Sequence, residues 1–250
     1  KTWVLAAIGA NAMKRGKHIV HYSLELNEAY VGLRYDSIFT GIANQNLKYH
    51  KDDVVTEMEK LKGDLVIKYF PTKTASVNTL SAHLKRIINL GTEVDMVVVD
   101  YADILKDVGG SREVRHALGN IYEDLRGLAG EFQIPIWTAS QANRSALDED
   151  VIEATKVSES YQKVMTADFV MSLSRKVEDK IGNTGRFHVI KNRFGPDGIT
   201  YPAKVNTNTG IINIYESSSV GGKEQQTKID NRDNLMKGML KNRYEDLMKE

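Results

Sequence analysis

The chain has 250 residues, of which 41% are apolar, 27% charged and 8% aromatic; this is ordinary folded globular composition and excludes disordered, collagen-like and membrane classes. Thirty-four Lys and Arg against thirty-three Asp and Glu leave a formal net charge of +1, so any contact with nucleic acid needs a local basic lining, not a generally cationic surface. There is no Cys, which excludes a disulfide framework and thiolate metal sites and fits a reducing compartment. No apolar run approaches the roughly 18 residues of a membrane span, and a chain that begins at Lys1 without Met or a leader-like n-region reads as a fragment lacking its natural N-terminus.

In chain order, periodicity predicts a helix over 2–13, a strand over 18–24, helices over 28–42 and 53–61, a strand over 64–70 and a helix over 77–90. A strand over 94–100, a helix over 113–131 and strands over 134–139 and 168–173 follow. Short β-branched runs alternating with helices of crossover length predict βαβ units around a mainly parallel sheet, a three-layer α/β sandwich. From residue 186 the pattern changes to extended segments over 186–191, 199–205 and 210–215. They are separated by Gly195-Pro196-Asp197-Gly198 and Asn206-Thr207-Asn208-Thr209-Gly210, turn chemistry that predicts antiparallel strands at the sheet's edge. One domain is expected over 1–215. Residues 216–250 read as a polar linker and C-terminal tail, with a flexible Ser217-Ser218-Ser219-Val220-Gly221-Gly222 joint; their end is open between a solvated tail and a short helix that docks on a partner. The long polar loops over 106–112 and 143–161 are of the kind that carries function.

Several residues at element ends carry candidate chemistry. Val94-Asp95-Met96-Val97-Val98-Val99-Asp100 closes a buried strand on a carboxylate, the Walker B position of nucleotide hydrolases, although an Asp there also serves as a plain turn former. Lys1-Thr2 precede an apolar helix, as at the end of G-x-x-x-x-G-K-[ST], where Lys reaches the phosphates and the hydroxyl binds Mg²⁺; the glycines are absent from this sequence. Glu25 follows the first strand, placed either to activate water or to cap the next helix. Gln141 follows the strand over 134–139, placed either to sense a γ-phosphate or to make a loop hydrogen bond. Lys191 and Arg193 leave a strand two residues apart, suited to charge stabilisation on a phosphoryl group or to guarding a sheet edge.

Taken in order, these segments resemble the C-terminal RecA-like motor domain of DnaB-family replicative helicases. The resemblance rests on Lys1-Thr2, Tyr22-Ser23-Leu24-Glu25-Leu26, Val97-Val98-Val99-Asp100-Tyr101, Ile134 through Arg144, Ala167-Asp168-Phe169-Val170 and Lys191-Asn192-Arg193-Phe194-Gly195, and covers about 1–215. Lys68-Tyr69-Phe70-Pro71-Thr72, Trp137-Thr138-Ala139 and Ser158-Glu159-Ser160 look closest to the T-even phage type. It implies a RecA-like P-loop NTPase that hydrolyses ATP with Mg²⁺ to move along single-stranded DNA and unwind duplex. Lys1 and Thr2 would end Walker A, Thr2 and Asp100 would serve Mg²⁺, Glu25 would be the catalytic carboxylate and Gln141 the γ-phosphate sensor. Lys191 and Arg193 would be fingers acting on a neighbour's nucleotide in a homo-hexamer. A primase and a helicase loader are the implied partners, in the cytoplasm of a bacterial or phage-infected cell, with no membrane. The stretch Ser158-Glu159-Ser160-Tyr161 departs from the Arg-Glu-Ser-Gly of bacterial members, which leaves Lys156, Ser158, Ser160, Tyr161 and Lys163 as the candidates for DNA contact. A RecA-like recombinase, a clock-type ATPase and a catalytically silent DNA-binding module on the same fold are the alternatives.

Overall fold

A computed structural model describes residues 1–143, 149–156 and 161–247. Residues Lys1–Asn143, 161–168 and Thr207–Ile211 form one compact unit; 149–156, Phe169–Asn206 and 212–247 form a second.

In the first unit β1 (Ile19–Ser23), β2 (Leu65–Tyr69), β3 (Met96–Asp100) and β4 (Ile136–Thr138) make a parallel sheet in the order β2-β1-β3-β4. The two central strands are buried along their whole length, which is why they read as unbroken apolar runs. Their side chains alternate between two cores. Ile19, Met96 and Val98 pack against Leu5, Ala6, Ala10 and Met13 of α1 (Thr2–Met13) and against Val31 and Tyr35 of α2 (Glu28–Thr40). A Cβ on Gly9 of α1 would lie 2.3 Å from the Tyr35 hydroxyl, so glycine is required where the two helices meet. The surface helix α3 (Lys51–Met58) buries no residue. On the other face Val20, Tyr22, Val97 and Val99 pack against Leu80 and Leu84 of α4 (Val77–Asn89) and Ile121, Leu125 and Leu128 of α5 (Val114–Phe132). The sheet between two helical layers is the α/β sandwich the periodicity predicts.

Helix limits follow local chemistry. The Asn27 side chain accepts from the Tyr30 N–H at 3.1 Å and starts α2; Gly41, at φ 72°, stops it two residues before the predicted end at 42. Ser76 and Thr79 form a capping box on α4. The short helix α6 (Gln162–Thr166) also belongs to this unit.

The second unit departs from the sequence reading in two places. First, β5 (Phe169–Ser174), predicted as a strand of the parallel sheet, pairs antiparallel with β6 (Thr184–Asn192); β7 (Thr200–Val205) and β8 (Ile212–Ile214) complete a separate sheet in the order β5-β6-β7-β8. The connection between β5 and β6, which holds only α7 (Val177–Gly182) and a reversal at Asn183 (φ 53°), is shorter than the roughly twelve residues a parallel crossover needs. Second, the stretch read as a linker and tail forms the helix α8 (Val220–Leu247). Ser219, from the supposed joint, accepts from the Gly222 N–H at 3.0 Å in the manner of an N-cap. Ile229 is buried, and Asp233 reaches Arg186 of β6 at 3.0 Å. Arg186 is itself buried and also pairs with Asp179 at 2.9 Å and Asp150 at 3.3 Å. No helix among the described residues is long and apolar enough to cross a membrane.

Within the first unit His21 is fully buried, and its Nδ1 shares a 2.9 Å hydrogen bond with the Tyr35 hydroxyl. Burial first, and the Arg34 cation second, push its pKa from 6.5 down to about 3. The folded chain therefore holds it neutral while the unfolded chain protonates it near pH 6.5, so its contribution to stability is complete above that pH and fades as pH falls toward about 3. Denaturant unfolding should show a loss of about 2 kcal/mol from this residue between pH 8 and pH 5, a slope that His21→Gln should remove.

Candidate functional site

The chain leaves β1 for β2 on one side and returns to β3 on the other, so strand order reverses between β1 and β3. In open parallel sheets the crevice beyond the carboxyl ends of such strands is where ligands bind. Hydrogen bonding continues past the strand ends and keeps them level. The Leu24 N–H donates to the Asp100 carbonyl at 2.8 Å. The Thr138 hydroxyl donates to the Val99 carbonyl at 2.9 Å and accepts from the Ala102 N–H at 3.0 Å. Glu25, Asp100 and the residues after Thr138 are thereby held at one edge.

Asp100 is the most unusual group there. It is fully buried, and neither carboxylate oxygen meets a hydrogen-bond partner at proper geometry. Burial raises its pKa; the nearby Thr2 hydroxyl is the main opposing influence, Glu25 raises it further and Arg34 lowers it. Thr2 is the first residue of α1 and Lys1 its N-cap, so the positive end of a helix dipole points into the same crevice. The Lys1 ammonium lies 3.4 Å from the centroid of the Tyr101 ring; burial lowers its pKa, against the pull of Glu25, Asp100 and Asp103. Gln141 Nε2 donates to the Tyr101 hydroxyl at 3.2 Å, while Glu25 is exposed. The Asp100–Tyr101 peptide is cis.

Arg34 of α2 completes the charge pattern. Its guanidinium lies 5.1 Å from the Trp3 ring, and its Nε and Nη1 are buried without partners. Burial lowers its pKa, and Asp100 and Glu25 hold it up. The crevice thus contains a carboxylate and a guanidinium with unmet hydrogen-bonding capacity, a state that costs stability until a ligand meets it. An anion satisfies Arg34 and Lys1; a hard cation satisfies Asp100 with the Thr2 hydroxyl. Among the described residues no group of three or more His, Asp or Glu could hold a metal by itself. This donor set suits Mg²⁺, which usually takes one or two protein oxygens and the rest from water and phosphates.

A family model of the DnaB-like helicase C-terminal domain matches residues 1–207. The chain belongs to that family. It is 25% identical over 211 residues to the DnaB-like replicative helicase of Enterobacteria phage T4, an alignment covering 78% of this chain and 44% of the phage protein. To the replicative DNA helicase DnaB of Helicobacter pylori it is 23% identical over 155 residues, covering 60% of this chain and 32% of that protein. The chain therefore spans less than half the length of these relatives. Among solved structures it resembles an ATPase domain, with a TM-score of 0.72, 19% identity and coverage of 86% of this chain and 81% of that one. It also resembles a DnaB-like replicative helicase whose structure is described together with its interactions with primase, with a TM-score of 0.72, 18% identity and coverage of 86% and 55%. The fold is RecA-like.

For this DnaB-like domain the structure brings Lys1, Thr2, Glu25, Asp100 and Gln141 to one edge. Lys191 and Arg193 lie in the second unit, Lys191 near the end of β6 opposite Val170 and Arg193 in the exposed turn that follows. Of the DNA-contact candidates, Lys156 pairs with Glu149 at 3.0 Å and Tyr161 is exposed; Ser158 and Ser160 lie outside the described residues. Lys163 is a correction. It is only 3% exposed and its ammonium pairs with Asp103 at 3.0 Å, so it is directed inward and does not present a cation to DNA. Sequence reasoning missed Arg34, for which a signal existed: on a helix whose buried stripe is Val31 and Tyr35, a charge at position 34 falls on the apolar face.

Because burial disfavours the ionised Asp100 carboxylate more than its neighbours favour it, Asp100→Asn should stabilise the ligand-free protein by about 1 kcal/mol, roughly 3 °C in melting temperature. The same variant should lose the extra stabilisation that Mg²⁺ and nucleotide confer together. Differential scanning fluorimetry reads both effects; a lower melting temperature in the ligand-free variant would make Asp100 a structural residue.

Proposed function

We propose that this domain is the ATP-hydrolysing motor of a replicative DNA helicase that moves along single-stranded DNA as a homo-hexameric ring. The observation that carries the reading is the buried Asp100 carboxylate beside the Thr2 hydroxyl at the start of α1, in a chain whose family is that of DnaB-like helicases. Lys1 binds the β- and γ-phosphates. Thr2 and Asp100 are the residues that would hold Mg²⁺, which would supply neutralisation of the charge developing on the phosphates. Glu25 orients the attacking water and accepts its proton. Gln141 exchanges its hydrogen bond with Tyr101 for one with the γ-phosphate. Lys191 and Arg193 stabilise charge on the nucleotide of an adjacent protomer. Tyr161 and Lys156 contact single-stranded DNA, without sequence preference and with strong salt dependence. A primase and a helicase loader are the protein partners, in a bacterial or phage-infected cytoplasm.

The test is ATP hydrolysis by the gene product that carries this segment together with its phosphate-binding loop, with and without oligo(dT). Turnover stimulated by DNA supports the motor; an assembled, DNA-binding protein without hydrolysis would make it a silent module. Glu25→Gln should lower kcat by about 10²- to 10³-fold while nucleotide affinity changes by less than about threefold. Near-normal turnover in that variant would remove Glu25 from the reaction.

The action of the fingers across subunits is tested by mixing. Arg193→Ala and Asp100→Asn protomers, each inactive alone, should recover DNA-stimulated ATPase when combined, because some hybrid interfaces then join an intact site to an intact finger. An absence of recovery at every mixing ratio would argue for a finger in cis or for none.

A further inference from the structure

Lys163, Asp103, Ser140 and Tyr122 form a buried polar knot within the first unit. Lys163 Nζ lies 3.0 Å from Asp103 Oδ1 and donates to the Ser140 hydroxyl at 3.1 Å. Ser140 donates in turn to Asp103 Oδ2 at 2.9 Å, and the Tyr122 hydroxyl donates to Asp103 Oδ1 at 2.8 Å. A buried ion pair of this kind is often no more stabilising than apolar residues of similar volume, and α6 already has an apolar anchor in the buried Val164. Docking the helix does not explain the charges; their position does. Asp103 lies in the turn that also presents Tyr101, and Ser140 precedes Gln141, whose amide bonds to Tyr101.

At its other end Lys163 belongs to a helix fixed as one piece. Gln162 donates to Glu123 at 2.7 Å and lies over Gly119, where a Cβ would come within 2.4 Å of its Oε1. Arg126 bonds to the Thr166 carbonyl and pairs with Asp168 at 2.9 Å. The same helix carries Met165, and Tyr161 immediately precedes it; both are exposed.

We infer that Lys163 is a positioning residue that couples α6 and its exposed face to the segment bearing Gln141. The inference rests on the motor reading above. When Gln141 leaves Tyr101 for a γ-phosphate, Ser140 moves with it, and the ammonium shared between Ser140 and Asp103 must be re-partitioned. Two discrete arrangements of one buried cation then correspond to two settings of α6, so nucleotide state alters DNA affinity and, by linkage, DNA alters nucleotide affinity.

The experiment measures oligo(dT) affinity by fluorescence anisotropy with a non-hydrolysable ATP analogue and with ADP, using the gene product that carries this segment, alongside basal and DNA-stimulated ATPase. In Lys163→Met the ratio of the two affinities should fall about tenfold toward unity, with basal ATPase within about threefold of wild type. Ser140→Ala, which keeps the Lys163–Asp103 pair and removes only a hydroxyl, should lower the ratio by about threefold with a melting temperature lowered by only a few degrees. A wild-type ratio retained in a folded Lys163→Met overturns the inference; if that variant does not fold, a wild-type ratio in Ser140→Ala does so. A wild-type protein whose DNA affinity ignores nucleotide and whose ATPase ignores DNA overturns the motor reading itself, an outcome visible before any variant is made.

Discussion

Parallel pairing of β1 with β3 runs on past the last strand residue, through the Leu24 N–H and the Asp100 carbonyl. That one bond keeps two strand ends level and brings Glu25, a loop residue, beside a carboxylate that belongs to the buried sheet. The alternation that packs Val97 and Val99 on one face and Met96 and Val98 on the other leaves Asp100 at the end of the strand, fully buried, with the Thr2 hydroxyl beside it. The core is therefore both the scaffold of the site and the reason its electrostatics are strong, because the low polarity that stabilises the sheet is what makes an unpaired charge costly.

The cost is distributed across elements. Arg34 is offered from α2, Lys1 and Thr2 from the start of α1, Asp100 from β3 and Gln141 from the segment after β4. No single element holds a complete set of partners, so the crevice is incomplete by construction. Such arrangements are retained where a ligand completes them, and stability is lost to function in the meantime.

Much of this was legible in the amino-acid order. The two central strands announce themselves because both their faces are buried, and Glu25, Asp100 and Gln141 could be picked out because each lies where an apolar period breaks. The rest was hidden for physical reasons. A six-residue strand such as β5 carries no information about the direction of its partner; only the short connection to β6 forbids the parallel arrangement. The polar α8 begins in a Ser- and Gly-rich stretch that reads as a joint, and its inward stripe mixes the buried Gln225 and Ile229 with a half-buried Asp233, which no hydrophobic period reveals. Lys163 resembles every solvated lysine until Asp103, distant in sequence, is placed beside it. The second unit also absorbs charge that composition alone assigns to the surface, since Arg186 satisfies carboxylates from α7 and α8 and from the 149–156 segment.

Among the described residues the chain passes between the two compact units at 168/169, 206/207 and 211/212. On its last visit to the first unit it delivers Gly210, whose Cα packs so closely on Trp3 and Ile38 that a Cβ would come within 2.4 Å of the indole. A ribosome releases Trp3 some two hundred residues before the glycine that covers it, so this helix waits, partly bare, while the intervening residues are synthesised. The first unit is therefore no contiguous cassette: its first helix is covered only when a segment late in the sequence returns to it.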